Sequence, residues 1–567
     1  MTGRRGRALA ALLGCVLAVT GCRRTTDAGP AGDGRTASRP VGPTVEVVFT
    51  YGSEKQPWIE EVTAAFNRGR HRTAAGKTIV VQAVPMGSGE AIEELLAGAR
   101  KAHLVSPASA AFITLGNAQS RARTGRDLVG ATENLVLSPV VIAMWKPMAE
   151  AIGWGRKPVG WADVLALARD PRGWAGAAQP QWGAFRFGHT HPEASNSGLI
   201  AVVAATYAAA GKSRGLSLAD VSRPDVGRFV GDIEKAVVHY GSSTGFFGRK
   251  MFERGPSYLS AAVLYESSVI ESYDPQYHLP FPVVALYPKE GTFWSDHPVG
   301  IVEREWVGPE QREAAQAYVR FLLEPAQQAK AIPHGFRPAS VDVPVTSPID
   351  ATHGVDPKEP ETTLEVPPAE VIEATLRLWR ENKRTASVTL ALDVSGSMNE
   401  EDGAKIGGAR DGARQLVSAL GDRDRFGLLL FNQEPRWVET GAELKGARPR
   451  LDSALASTLA EGGTALYDAI LQAVEHQQTE AKDGGRIAAV VVLSDGEDRD
   501  SHTSLGQLLA RIRFDGERRS VRVFTIAYGK DAKKDVLQQI AEATQGRAFD
   551  GKPETIRQVF RDISTFF

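Results

Sequence analysis

At roughly 150 residues per domain, 567 residues are enough for three or four domains. The 66 Lys+Arg almost cancel the 67 Asp+Glu, leaving a formal charge of −1, so no global field draws the chain onto nucleic acid or an anionic membrane surface. With 43% hydrophobic and 23% charged residues the composition is that of a soluble globular chain. The two cysteines, Cys15 and Cys22, exclude a disulfide framework and a cysteine-based zinc site.

Arg4, Arg5 and Arg7 precede an apolar run from Ala8 to Val19. At about 12 residues the run has the length of a signal-peptide core and is too short to cross a bilayer. Val19-Thr20-Gly21-Cys22 resembles the bacterial lipobox. The resemblance implies a signal peptide over 1–22, lipidation of Cys22, and a membrane-anchored protein facing the extracytoplasmic side. An ordinary cleaved signal with an incidental cysteine is the alternative. Residues 23–43, rich in Gly, Thr, Ala and Pro without periodicity, read as a flexible tether.

Residues 44–345 alternate strands with helical patterns. Val45–Tyr51 alternates as a strand, and Trp58, Val62 and Phe66 mark a helix face. Thr78–Val84 is a second strand, and Gly87-Ser88-Gly89-Glu90 opens a second helix. Ser138–Lys146 reads as a buried strand, Trp182–Gly188 as strand-like, and Ser195-Asn196-Ser197-Gly198 starts a helix running to about Ala210. Ala261–Glu266 and Val283–Leu286 are further apolar segments, and an Ala-rich helix is expected over Glu313–Gln328. The order of these elements, with "SPVVIAMW", "HTHPEASNSG", "LYESS" and "GFRP", resembles an extracellular solute-binding protein of the type II periplasmic family. The resemblance implies two α/β lobes closing over a small ligand, with Tyr51, Ser53, Ser88, Ser195, Asn196, Ser197 and Glu266 in the cleft. Each of these segments is equally at home in a helix cap or turn. His189 and His191 flank Thr190 beside Pro192 with no further His or Cys cluster near, and read as surface or packing histidines rather than metal ligands.

A proline-rich stretch and one amphipathic helix, on which Ile372, Leu376 and Trp379 share a face, occupy 346–383 and separate this block from a second at 384–567. The second block has strands at Ser387–Asp393, Arg425–Phe431, Ile487–Leu493 and Val521–Ala527. Helical patterns alternate with them, and Glu434–Glu439 is a candidate antiparallel edge. Near-continuous apolar strands between helices predict a mainly parallel, doubly wound sheet, with the ligand crevice beyond the strands' carboxyl ends. Asp393, Ser395 and Ser397 follow one strand, Thr464 follows Gly462-Gly463, and Asp495 follows another strand. Carboxylate and hydroxyl oxygens suit a hard cation, Mg²⁺ first, with Mn²⁺ or Ca²⁺ as alternatives. The arrangement resembles the von Willebrand factor type A domain and its metal-ion-dependent adhesion site. It implies that Ser395, Ser397 and Thr464 bind the metal directly, that Asp393 and Asp495 act directly or through water, and that a partner's acidic side chain completes the shell.

A haloacid-dehalogenase-like phosphatase would need a second carboxylate where Ser395 stands, and the acidic run Asp495–Asp500 lacks EF-hand spacing. No Gly-x-Ser-x-Gly elbow, phosphate-binding loop or cysteine nucleophile appears, so an enzyme is the least favoured class. The sequence therefore carries two expectations: metal-dependent adhesion to a protein partner, or solute capture for an ABC permease with the second block as a docking or regulatory module. The acidic group could also come from the first block, making the metal a latch between the two.

Overall fold

The computed structural model describes residues 42–400, 403–480, 485–513, 521–530 and 532–567. The leader, Cys22 and all but the end of the tether lie outside them. Pro43–Phe567 form one compact unit, and no described helix is long and apolar enough to cross a membrane.

The first block folds as two lobes, each built on its own sheet. Lobe one orders its strands Thr78–Met86, Thr44–Gly52, Leu104–Ser106, Pro298–Val302 and Val129–Asn134. Val47, Phe49 and Tyr51 on its second strand are buried against Trp58, Val62 and Phe66 of the helix Gln56–Gly69, the face anticipated from the sequence. Lobe two centres on Val136–Trp145, which pairs antiparallel with Ala261–Tyr265 and Val283–Leu286. Phe187–Thr190 and Val237–Gly241 extend that sheet. The chain crosses between lobes at 134–136 and returns at 295–298.

Two expectations are corrected. Trp182–Gly188 is strand only from Phe187; Pro180–Trp182 is a 3₁₀ turn. The turn carries Gly183 at φ +65°, outside the range of an extended strand. The helix expected over Glu313–Gln328 begins at Pro309 and ends at Leu322, and a second short helix starts at Pro325. Pro325 has no N–H to continue the first helix and opens the next instead.

The proline-rich stretch is packed against the first block. Ile349, Val355 and Leu364 are buried, and Thr363 bridges Thr292. The linker helix Ala369–Asn382 lies against lobe-two helices Asn196–Ala210, Leu218–Val221 and Pro224–Ala236, and against Ala110–Thr124 of lobe one. Its Trp379 is 1% exposed, donates to Glu234 Oε2 at 3.2 Å, and packs edge-on to Tyr240 and His191.

The second block is a six-stranded sheet ordered Pro435–Glu443, Arg425–Phe431, Thr385–Asp393, Arg486–Ser494, Arg522–Tyr528, Ala548–Gly551. All neighbours are parallel except the first pair, which is antiparallel, as expected for an edge after Phe431. Strands such as LALD and VVVLS are apolar on both faces because helices cover both. Leu416, Ile556 and Phe560 pack on one side, and Leu466, Ile470, Leu508 and Ile540 on the other.

Trp379→Ala is expected to lower stability by about 3–5 kcal/mol, the usual cost of emptying a buried tryptophan site. Chemical denaturation followed by fluorescence should show the loss in the transition that includes lobe two, because the side chain is lodged in that lobe.

Candidate metal centre and ligand cleft

The carboxyl ends of Thr385–Asp393 and Arg486–Ser494, adjacent and parallel, bring the predicted donors to one place. Asp393 is fully buried. Its Oδ1 accepts the Ser395 N–H at 2.9 Å and its Oδ2 the Ser494 hydroxyl at 2.5 Å. Burial, with Asp495 nearby, pushes its carboxyl up to about 6 against those hydrogen bonds. Asp393 thus shapes the loop from behind, which fits action through water better than direct ligation.

The hydroxyls lie in front. Ser395 Oγ and Ser397 Oγ are 3.1 Å apart, and Ser397 Oγ donates to Asp495 Oδ1 at 2.7 Å. Neighbouring oxygens on an octahedron with bonds of about 2.1 Å stand about 3 Å apart, so both separations match adjacent ligands of Mg²⁺. A Cβ on Gly496 would stand 3.7 Å from Thr464 Oγ1 and 3.9 Å from Ser397 Oγ, so Gly496 lies beside both hydroxyls. The Thr464 loop is pinned from two sides. Gly396 N–H donates to Gly462 O at 2.9 Å, and Thr464 N–H to Asp500 Oδ2 at 2.6 Å. Gly462 has φ +83°, a left-handed conformation that favours glycine.

Asp498 and Ser501 accept and donate around the start of the helix Leu466–Glu480: Asp498 Oδ1 accepts the Tyr467 N–H at 3.1 Å, and Ser501 Oγ the Asp468 N–H at 3.1 Å. The acidic run read as a solvated rim therefore includes caps of the metal-loop helix. Gly396, Glu400, Glu461 and Glu497 remain exposed around the donors. The set fits a hard cation: five oxygen-bearing residues, three of them neutral hydroxyls. Among the described residues no cluster of three or more His, Cys, Asp or Glu offers an alternative centre. Among the described residues, the hydrogen-bond partners of these five all lie in the second block.

One residue of the site escaped the sequence reading. Lys405, in the first turn of Ala404–Ala419, has a side chain 3% exposed. Its ammonium donates to Asp495 Oδ2 at 2.8 Å and to Glu400 Oε2 at 2.8 Å. Burial opposes its charge, but these two carboxylates outweigh it and push the ammonium up to about 12. Asp495 is thereby divided: one oxygen serves a resident cation, the other the hydroxyl cluster. A lysine in a helical pattern normally reads as a solvated face, so sequence periodicity offered no signal for it.

The predicted cleft residues also assemble, but mostly onto each other. Gly89 N–H, on the lobe-one helix Ser88–Ala97, donates across the cleft to Ala194 O at 3.0 Å. Ser88 Oγ accepts the Ala108 N–H at 3.0 Å; Ser195 and Ser197 hydroxyls meet Thr244 at 3.2 and 2.9 Å. Glu266 is not free for a ligand. Arg337 binds it in a fork at 2.8 and 2.6 Å, and the Tyr287 hydroxyl donates to it as well. Ser53 is half-buried on the turn Ser53–Lys55. Beside it Lys55, fully buried, donates to Glu54 at 3.1 Å, Ser106 O at 3.2 Å and His297 Nδ1 at 3.0 Å. Tyr51 Oη, Asn196 Oδ1 and His297 Nε2 are buried without a hydrogen-bond partner. His189 and His191 are packing residues: His189 bonds Glu234 at 3.0 Å and His191 packs against Trp379.

Comparison with known proteins places both blocks. The family model of bacterial extracellular solute-binding proteins matches residues 47–337, just over half the chain, and that of the von Willebrand factor type A domain matches 387–561. The Mycobacterium tuberculosis protein Rv1836c is 24% identical over 452 residues, covering 74% of this chain and 62% of its own length. Inter-alpha-trypsin inhibitor heavy chain H4 of Sus scrofa is 28% identical over 169 residues, 29% of this chain and 18% of that protein. The chain thus spans about three fifths of the mycobacterial relative. Among solved structures, the periplasmic binding protein AfuA from Actinobacillus pleuropneumoniae aligns with 60% of this chain and 99% of its own at 13% identity and a TM-score of 0.42. A von Willebrand factor type A protein from Catenulispora acidiphila aligns with 32% of this chain and 43% of its own, at 22% identity and a TM-score of 0.28.

Lys405→Met leaves the Asp495 carboxylate buried without its cation and is expected to cost about 3–5 kcal/mol. The double variant Lys405→Met/Asp495→Asn removes both charges and should recover much of that loss in urea denaturation. The cleft predicts a pH dependence. Burial and Lys55 hold the His297 imidazole down to about 4 against the pull of Glu54. An unfolded histidine titrates near 6.5, so between about 6.5 and 4 the unfolded chain binds a proton that the folded chain refuses. Stability should fall as pH drops through that window. The fall in melting temperature from pH 7 to 5 should be smaller in His297→Asn than in wild type.

Proposed function

From the premise that the chain belongs to the bacterial extracellular solute-binding proteins and carries a von Willebrand factor type A domain, we propose that it is a lipid-anchored extracytoplasmic protein that binds a protein partner through a divalent cation. The observation that carries this reading is the octahedral-edge spacing of Ser395, Ser397 and Asp495, with the Thr464 hydroxyl beside the same glycine as Ser397 and exposed Gly396, Glu400, Glu461 and Glu497 around them. Mg²⁺ bound there would supply a Lewis-acidic position for an acidic side chain. Three uncharged hydroxyls, and an Asp495 already shared with Lys405, contribute little negative charge and leave the position receptive to a carboxylate. The lipobox-like Val19–Cys22 and the solute-binding module support placement outside the cytoplasm.

Solute capture is the second reading, favoured by the three unpartnered polar atoms of Tyr51, Asn196 and His297 between the lobes. A ligand there would stabilise the chain by about 2.7 kcal/mol at 100 times Kd whether or not a chelator is present.

Thr464→Val separates the two readings cleanly. It deletes a hydroxyl that makes no hydrogen bond among the described residues and keeps the shape, so the fold should persist. Calorimetric titration with Mg²⁺ or Mn²⁺ should show affinity reduced by at least about tenfold. Capture of a cell-envelope protein by the immobilised chain should be lost both in this variant and in EDTA. Equal metal binding by variant and wild type would remove Thr464 from the site. Capture indifferent to metal would sink the adhesion reading.

A further inference from the structure

The two lobes of the solute-binding module are gripped from outside by the type A domain. Its C-terminal helix, Ile556–Ser564, meets lobe one at the helix Ser88–Ala97: Gln558 Nε2 donates to Glu90 Oε1 at 3.0 Å and Arg561 faces Glu93 at 3.5 Å. The residues that end this helix meet lobe two. The Phe566 carbonyl accepts the Tyr240 N–H at 3.4 Å, and the Phe566 ring lies 6.3 Å from that of Phe246, edge-on. The Arg547 guanidinium sits 4.1 Å over the same Phe246 ring, and Arg522 5.4 Å over Tyr258.

The places gripped matter. Ser88–Ala97 carries Gly89, whose N–H makes the cleft-closing bond to Ala194 O. Phe246 lies on Thr244–Arg254, the lobe-two helix that packs on the turn Ser53–Lys55 of lobe one. The type A domain therefore holds, at once, the helix that closes the cleft from each lobe. Hinged lobes that separated would carry these two helices apart, and one short helix could not follow both.

We propose that the type A domain is a clamp in cis: its complete set of contacts exists only with the lobes closed, so docking stabilises closure and closure stabilises docking by the same free energy. The inference goes beyond the adhesion reading and needs neither metal nor solute. Any ligand that must enter between the lobes competes with the domain's grip, and any event that loosens the C-terminal helix frees the cleft.

The test follows lobe separation directly in the full chain. Cys15 and Cys22 are replaced by Ser, and spin labels are placed at Glu60 and Gln276, exposed residues on opposite lobes beside the groove that Pro57 and Gln276 line. Gln558→Ala/Arg561→Glu removes the lobe-one half of the grip, and the label distance should lengthen by more than about 2 Å, the scale of a true rearrangement. A distance identical to that of the parent overturns the clamp. The reciprocal arm uses Gly89→Leu, whose Cβ would stand 2.0 Å from Glu193 O and wedges the lobes apart. Labels at Glu60 and Glu554 should then separate as the type A domain loses lobe one. Lobes that open in this variant while the Glu60–Glu554 distance stays fixed also overturn it. An unchanged circular dichroism spectrum shows that each variant remains folded.

Discussion

The arrangement of the molecule depends on one buried polar knot. Glu234, 2% exposed, accepts from His189, Tyr240 and Trp379. A carboxylate taken out of water is tolerated only when its oxygens are fully occupied, and the third of these partners belongs to the linker helix. The linker is thereby drawn into lobe two, and the strand that starts at Thr385 leaves from a fixed point. Arg384, one residue earlier, donates to Val237 O at 3.0 Å, and Lys383 reaches the Phe567 carbonyl at 2.7 Å. The join between modules is consequently a packed seam rather than a swinging tether.

That seam decides which end of the type A sheet is free. Arg384, Arg486 and Arg522 stand where strands begin, and the first and last of them touch lobe two. The metal donors stand where strands end. A nine-residue strand rises about 27–30 Å, so the end of the sheet that carries the predicted donors lies opposite the end at which Arg384 and Arg522 touch lobe two. On the proposed reading, that end of the sheet is available to a partner in trans.

Legibility in the sequence divided along a physical line. Elements whose burial is set by their own periodicity were readable, down to Arg425–Phe431 and Lys534–Ala543, whose bounds match. The proximity of the predicted donors Asp393, Ser395, Ser397 and Asp495 was readable because the ends of neighbouring strands in a parallel sheet lie together. What could not be read were partnerships between distant charges. Nothing near Glu266 announces Arg337, and nothing in the pattern of Ala404–Ala419 distinguishes a lysine buried on Asp495 from one in water. The partners of the cleft serines were hidden for a related reason. Ser, Asn and Gly at helix starts bind ligands and cap helices with the same atoms, and here Ser88, Ser195 and Ser197 spend theirs on protein. Trp182–Gly188 went astray because Gly183 adopts a positive φ that apolar neighbours conceal.

The pairing of the two metal-site carboxylates bears on what the cation is for. In a structural site, unpaired ligands make metal binding and folding one event. Here Asp393 is held by the Ser395 N–H and the Ser494 hydroxyl, and Asp495 by Lys405 and Ser397. Both carboxylates thus have partners within the protein, and that of Asp495 is a cation. Lys405 also places a positive charge on the far oxygen of Asp495, which would repel a divalent cation at the proposed site and moderate its affinity. A cation held moderately at the proposed site would still take ligands from outside. On the reading proposed above, that electrostatic position suits a metal that recognises a partner better than one that holds the fold.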